Sequence, residues 1–63
     1  MNNLRKIRKQ KSLTQYELGK AIGKYQALIW QIEKGYCQPK VRIKLTLAQV
    51  LGVGISDIFP DKS

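Results

Sequence analysis

The apolar residues of this chain recur at spacings of three and four, which is the period of an α-helix with one buried face. Four such stripes follow one another, with short turn-forming segments between them, and a shorter apolar segment, GISDIFP, comes after them. This pattern predicts an all-α fold of five short helices. The four stripes are Leu4 and Ile7; Leu18, Ala21 and Ile22; Tyr25, Ile29 and Ile32; and Ile43, Leu47, Ala48, Val50 and Leu51.

Capping residues set the expected limits of the first two helices. Asn2 or Asn3, both good N-cap residues, opens the first helix, which runs to about residue 11. Thr14 and Glu17 have the spacing of a capping box, in which each side chain bonds the backbone amide of the other residue. The second helix therefore follows Thr14, and it ends at Gly23, because glycine readily takes the left-handed conformation beyond a helix.

The limits of the other helices follow from similar signals. The third is expected from about Tyr25 to residue 34, where Gly35 stops it, and the fourth from residue 42 to residue 51, before Gly52. Within GISDIFP, Ser56 is the expected N-cap of the fifth helix, with Asp57 near the positive end of its dipole. Residues 61–63 are expected to form a frayed tail. The length of 63 residues suits one small domain spanning residues 1–63.

Only a short turn separates the second predicted helix from the third. A connection of two or three residues after Gly23 crosses two helices steeply, as in a helix-turn-helix. Gly19 suits such a crossing, because the lack of a side chain lets two backbones approach; in mid-helix, glycine otherwise costs about 1 kcal/mol relative to alanine. The sequence therefore predicts a helix-turn-helix formed by helices 2 and 3.

The charge of the chain is high and unevenly distributed. Twelve Lys and Arg residues against four acidic residues give a net charge of +8. Residues 1–44 contain eleven basic and two acidic residues, whereas residues 45–63 carry one base and two acids. Such an asymmetry lets a polyanion approach one side of the molecule. It favours a nucleic-acid partner over the alternative of a merely soluble basic surface.

The residue types argue against several other classes of function. Without histidine, and with four carboxylates in all, the chain has little material for proton transfer, so we expect no catalytic residues and no enzyme activity. One cysteine and no histidine predict neither a disulfide nor a metal site. No apolar run approaches the ~18 residues of a membrane span, and the N-terminus lacks a signal-peptide core. We expect a cytoplasmic protein with no cofactor, no small-molecule ligand and no membrane partner.

The segment LTQYELGKAIGKYQALIWQIEKG, residues 13–35, resembles the helix-turn-helix of the Cro and phage-repressor family, also called XRE-like. LAQVLGVGISDIF resembles the fourth and fifth helices of that family, so the resemblance extends from about Leu4 to Phe59. It implies a lambda-repressor-like domain that binds operator DNA, commonly as a twofold dimer, with the third helix in the major groove. The matching features are Leu18, Gly19, Ile22, Gly23, Ile29, Ile32 and the Glu33-x-Gly35 ending.

The resemblance also implies roles for individual residues. Two positions depart from the family pattern. Lys24 replaces a small or apolar residue after the turn glycine, so Tyr25 is expected to cover the turn instead, and Trp30 replaces a polar residue. The implied roles are base contact for Gln26, Ala27 and Gln31, phosphate contact for Gln15, and an internal ion pair between Arg8 and Glu33.

A helical projection of the third helix selects the same base-contacting residues without reference to the family. At about 100° per residue, Tyr25, Ile29 and Ile32 cluster on what must be the core face. Gln26 or Gln31 can bond an adenine through two hydrogen bonds, and an alanine methyl can contact a thymine methyl. The alternative for the glutamines is an ordinary solvated face. The opposite half of the projection carries Gln26, Ala27, Trp30, Gln31 and Lys34.

Trp30 has two readings. It can contact DNA, either a thymine methyl or the sugar-phosphate wall, with a specificity that is mostly a matter of shape. Alternatively, it folds across toward the loop and packs on Tyr36 or on the aliphatic stem of Lys34. A place in the core would require a rotated helix, which the positions of Ile29 and Ile32 argue against.

We therefore expect a bacterial or phage-encoded, nucleoid-associated regulator, and specifically a repressor, that binds double-stranded DNA and is a homodimer at least on DNA. The main alternative is a protein-binding adaptor or antitoxin-type module with Trp30 as its anchor. A membrane or RNA binder is a weaker alternative, because its charges would follow one long helix or its aromatics would form a stacking platform. The expected DNA-backbone contacts are Gln15, Lys24, Tyr25, Lys34, Lys40 and Arg42.

Overall fold

The computed structural model describes residues 2–60, which form five helices and no strand. The all-α class and the helix count are as predicted; the predicted frayed tail at residues 61–63 lies outside the described residues. None of the helices in the described range is long and apolar enough to cross a membrane. The helices are α1 (Leu4–Gln10), α2 (Gln15–Ala21), α3 (Gln26–Lys34), α4 (Val41–Leu51) and α5 (Ile55–Ile58).

The core is built from the predicted stripes, with three exceptions: Ala21, the last residue of α2, is exposed, and Tyr25 and Val50 also lie outside the core. Tyr25 is 79% exposed, because it is the N-cap of α3 in an extended conformation and so lies outside the helical register from which its position was predicted. It therefore does not cover the turn at Lys24 as expected. Val50 is 39% exposed at the edge of the α4 stripe. The buried apolar residues are Leu4, Ile7, Leu18, Ile29, Ile32, Leu47, Ala48, Leu51 and Ile58.

Two consecutive asparagines attach the start of the described chain to later helices. Asn3 is the N-cap of α1, but its side chain makes no capping bond. Instead, its Nδ2 donates to the carbonyl of Asp57 over 3.0 Å, and its amide donates to the carbonyl of Ile58 over 2.8 Å. Asn2 accepts from the Leu4 amide through Oδ1 and donates through Nδ2 to the Ile32 carbonyl. These bonds attach the start of α1 to α3 and α5.

The prediction for the start of α5 is wrong. Ser56 lies within α5 and is not its N-cap; the N-cap is Gly54. The Asp57 carboxylate accepts from the Gly54 amide over 2.9 Å, so the acidic half of a capping box is present without a hydroxyl. At α2 the predicted box is complete, because Thr14 Oγ1 accepts from the Glu17 amide and Glu17 accepts from the Thr14 amide.

The crossing of α2 and α3 depends on Gly19. This glycine is buried in mid-helix, and a Cβ atom added to it would lie 2.9 Å from the backbone carbon and oxygen of Tyr25. Real side chains do not tolerate that distance to backbone atoms. The turn is further fixed by the amide of Lys24, which donates to the carbonyl of Gly19 over 2.8 Å. Helices α2 and α3 thus form the predicted helix-turn-helix.

Candidate nucleic-acid interface

One face of α3 is left uncovered by the rest of the fold. Ile29 and Ile32 are fully buried on the side of α3 that faces the core, and this fixes the rotation of α3 about its own axis. The opposite side, which the sequence identified as the base-reading face, is solvent-accessible along the whole helix. Its exposed residues are Gln26, Ala27, Trp30, Gln31 and Lys34.

Trp30 packs on Tyr36 and remains accessible at the same time. The two ring centroids are 5.4 Å apart with the ring planes at 62°, which is an edge-to-face contact. The packing given above as the alternative to DNA contact is therefore present. Nevertheless, 42% of Trp30 is exposed, so the contact with Tyr36 leaves part of the indole available to a ligand.

A shallow notch lies between α3 and the start of α2. It is lined by Gln15, Gln26, Ala27 and Trp30, all of which were predicted to contact DNA. The lining is mostly apolar, with a methyl group from Ala27 and an indole from Trp30, and the two glutamines add amide groups. We refer to these four residues as the α3 notch.

A buried ion pair connects α1 to α3 beside this notch. Arg8 Nε donates to Glu33 Oε2 over 2.6 Å, and its Nη2 lies 3.3 Å from Oε1. The Arg8 and Glu33 side chains are only 8% and 3% exposed. Arg8 Nη1 donates to the Leu13 carbonyl over 2.7 Å, so the same guanidinium holds the segment between α1 and α2. The pair that the family resemblance implied is thus formed, and it orients three segments around the interface.

Gln15 belongs to the same hydrogen-bond network. Its Nε2 donates to Glu33 Oε1 over 3.0 Å, so the half-buried side chain is held against α3. An amide nitrogen carries two N–H groups, and the bond to Glu33 uses one of them. The remaining N–H can still donate to a phosphate, and the carbonyl oxygen can accept from a donor group. Gln15 therefore combines a structural contact with a place at the edge of the α3 notch.

Apart from the half-buried Gln15, the predicted backbone-contact residues are exposed, but they do not all adjoin the notch. Lys34 lines a second groove together with Arg5, Gln15, Trp30 and Glu33. Lys24 lies in the turn and Tyr25 caps α3, whereas Lys40 and Arg42 lie around the start of α4. The residues that line neither the notch nor this groove are Lys24, Tyr25, Gln31, Lys40 and Arg42.

Two residues at the interface were not singled out from the sequence. Arg5, for which no role was predicted, lines the groove beside Trp30 and another beside Gln15 and Gln26. The sequence could have indicated this position, because Arg5 lies three residues before Arg8 and residues three apart share one side of a helix. Tyr36 was considered only as a packing partner. It follows Gly35, and the left-handed conformation of that glycine (φ 81°) is what turns the chain back toward Trp30.

Comparisons with known proteins agree with the helix-turn-helix fold. Residues 4–58 match a family model described as helix-turn-helix. The chain is 38% identical over 58 residues to an uncharacterized HTH-type transcriptional regulator of Methanocaldococcus jannaschii, covering 92% of this chain and 88% of the relative. It is 34% identical over 56 residues to another such regulator, from Archaeoglobus fulgidus, covering 89% and 80% of the two chains. The protein therefore belongs to the helix-turn-helix family, as its resemblance to the XRE-like regulators indicated.

Proposed function

We propose that the protein is a sequence-specific, double-stranded DNA-binding transcriptional regulator that inserts α3 into the major groove. The observation that carries this proposal is the uncovered face of α3, which presents glutamine amides, a methyl group and an indole. Ile29 and Ile32, buried on the opposite side, fix that face outward. The HTH-type transcriptional regulators to which the chain is similar support the same function.

Each element would have a distinct task on DNA. Gln26 and Gln31 would bond adenine edges, and Ala27 and Trp30 would contact apolar base surface. The contacts to phosphates would set the register without reading sequence. Those contacts would come from Gln15, Lys24, Tyr25, Lys34, Lys40 and Arg42, with Arg5 added from the groove beside Trp30.

The regulator is proposed to act as a repressor in the cytoplasm, by occupying an operator and excluding polymerase. Two copies bound about a twofold axis would insert their α3 helices into successive major grooves ~34 Å apart, so the operator would be a rough palindrome. Binding alone would produce the effect, without catalysis, cofactor or small-molecule ligand.

The experiment is a selection from randomised duplex DNA at physiological salt, followed by sequencing of the bound fraction. A palindrome with half-sites about one helical turn apart is the expected product. Sequence-blind, salt-sensitive binding alone would overturn the proposal. A variant with Gln26→Ala and Gln31→Ala, both on the exposed face, is the control that should lose the selected sequence and keep the fold.

A second candidate, a protein-binding adaptor, is favoured by one specific observation. Trp30 and Tyr36 form an exposed aromatic pair, with Tyr36 72% accessible, and aromatic residues dominate the binding energy of many protein interfaces. Salt distinguishes the two functions. Affinity for DNA should fall steeply with added KCl, whereas an interface centred on Trp30 should respond weakly.

A further inference from the structure

The α3 notch combines two kinds of surface that serve different purposes. Gln15 and Gln26 contribute polar amides to its lining, and Ala27 and Trp30 contribute a methyl group and an indole. An amide-rich face alone would suit any polar base edge. The methyl group and the carbon atoms of the indole cannot hydrogen-bond, since the single donor of the indole is its Nε1–H, so this mostly apolar lining favours a small apolar occupant.

The indole wall of the notch is fixed from outside α3. Tyr36 contacts Trp30 edge-to-face, at 5.4 Å between ring centroids. The backbone of Tyr36 is itself attached to α3, because its amide donates to the Gln31 carbonyl over 2.9 Å. A side chain that was free to rotate would lose conformational entropy on binding, whereas a supported one loses less. Tyr36 therefore prepares Trp30 for contact.

We propose that the α3 notch accepts the 5-methyl group of a thymine in the major groove, and that Tyr36 is a positioning residue for this contact. The inference rests on the proposed DNA-binding function and names what the site selects. Of the four bases, only thymine presents a methyl group in the major groove. The net charge of +9 over residues 1–44 favours a polyanionic duplex as the occupant of this face.

The occupant could otherwise be a deoxyribose of the DNA backbone, which is also largely apolar. Deoxyuridine separates the two, because it differs from thymidine only by the missing methyl group and leaves the sugar unchanged. Burying one carbon of this kind changes affinity by about fourfold.

The test uses the duplex recovered from the randomised selection, with each thymine replaced in turn by deoxyuridine. The wild-type protein should lose about fourfold in affinity at one thymine of each half-site and little elsewhere. Trp30→Ala should bind the thymine and deoxyuridine duplexes equally. Tyr36→Ala should reduce the thymine preference, and Tyr36→Phe, which keeps the ring, should restore it. Tyr16→Ala removes an exposed aromatic residue that does not line the notch, and it should leave the preference unchanged.

The outcomes separate this inference from the function on which it rests. A protein that selects a defined sequence but binds thymine and deoxyuridine duplexes equally at every position overturns the inference and leaves the function standing. A thymine preference that survives Trp30→Ala also overturns it. A protein that selects no sequence overturns both. Circular dichroism of each variant checks that the helices are retained.

Discussion

The guanidinium of Arg8 and the carboxylate of Glu33 lie 2.6 Å apart and are almost completely shielded from water. They come from α1 and α3, and the carboxylate also accepts from Gln15 at the start of α2. One buried charge pair therefore sets the relative positions of the three helices that surround the proposed DNA-reading face. Removing either charge would leave the other buried without a partner.

Arg8→Ala is accordingly expected to destabilise the fold by about 3–5 kcal/mol, the usual cost of isolating one partner of a buried pair. In a protein of 63 residues, this is enough to unfold a large fraction of the molecules. Urea denaturation followed by circular dichroism measures the effect. Arg5→Ala, an exposed arginine on the same helix, should change stability by less than about 0.5 kcal/mol.

The double variant Arg8→Met with Glu33→Leu tests the physical reason for that loss. Apolar replacement of both charges removes the unpaired ion, so this variant should be markedly more stable than Arg8→Ala. If the double variant is as unstable as the single one, the loss comes from packing and not from an isolated charge.

Gly19→Ala should also be destabilising, although alanine is the better helix former. The added methyl would lie 2.9 Å from backbone atoms of Tyr25, so α3 must move away from α2. Overpacking of this kind costs about 1–3 kcal/mol. Most of that range exceeds the ~1 kcal/mol that alanine gains over glycine in helix propensity. Thermal unfolding provides the measurement, with Lys20→Ala as the exposed control on α2. A rise in melting temperature for Gly19→Ala would contradict the close crossing.

Arg5→Ala should weaken DNA binding by reducing the number of neutralised phosphates. If six to eight phosphates are contacted, log K falls against log[salt] with a slope of roughly −5 to −7, and loss of one contact reduces its magnitude by about 1. Lys6→Ala is the matched control, because Lys6 lines a different groove with Val53 and Asp57. Binding titrations at several KCl concentrations compare the slopes. Equal salt slopes for the two variants would show that Arg5 does not contact a DNA phosphate.

Gln26→Ala should relax sequence preference at one position of each half-site without changing the salt slope. A glutamine that forms two hydrogen bonds with adenine contributes about 1–3 kcal/mol of discrimination against other bases. Competition binding with single-base variants of the selected site measures it. Gln10→Ala, on α1 beside Lys6, is a control that should discriminate as the wild type does. Unchanged discrimination by Gln26→Ala would assign that position to the solvated face.

The sequence predicted those parts of the fold that depend on local periodicity and capping. The buried stripes, the Thr14 capping box and the requirement for Gly19 are examples, because each follows from spacing within one helix or across one short turn. Tyr25 shows the limit. A helical projection assumes that every residue obeys the same rotation, and an N-cap with φ −107° and ψ 154° does not.

Ser56 shows a second local limit: it met the composition rule for an N-cap, but Gly54 takes that place, with its amide bonded to the Asp57 carboxylate three residues later. Features that depend on contacts between distant elements were less accessible. The family resemblance paired Arg8 with Glu33, yet nothing in the sequence joined Gln15 to the same carboxylate. Likewise, the packing of Tyr36 on Trp30 could be stated as one alternative, but the exposure that remains on the indole follows only from the assembled structure.

The hydrogen bonds from Asn3 to Asp57 and Ile58 span about 55 positions of the chain, and they bear on how the protein is made. On a ribosome, α1 emerges first and has no partner for its N-terminal end until α5 has been synthesised and released from the exit tunnel. At 5–20 residues per second, roughly, that interval lasts several seconds. Helices α2 and α3 are therefore synthesised after α1 but before α5, so the proposed DNA-reading face gains its last supporting contact, the attachment of α1 to α5, only when α5 is available.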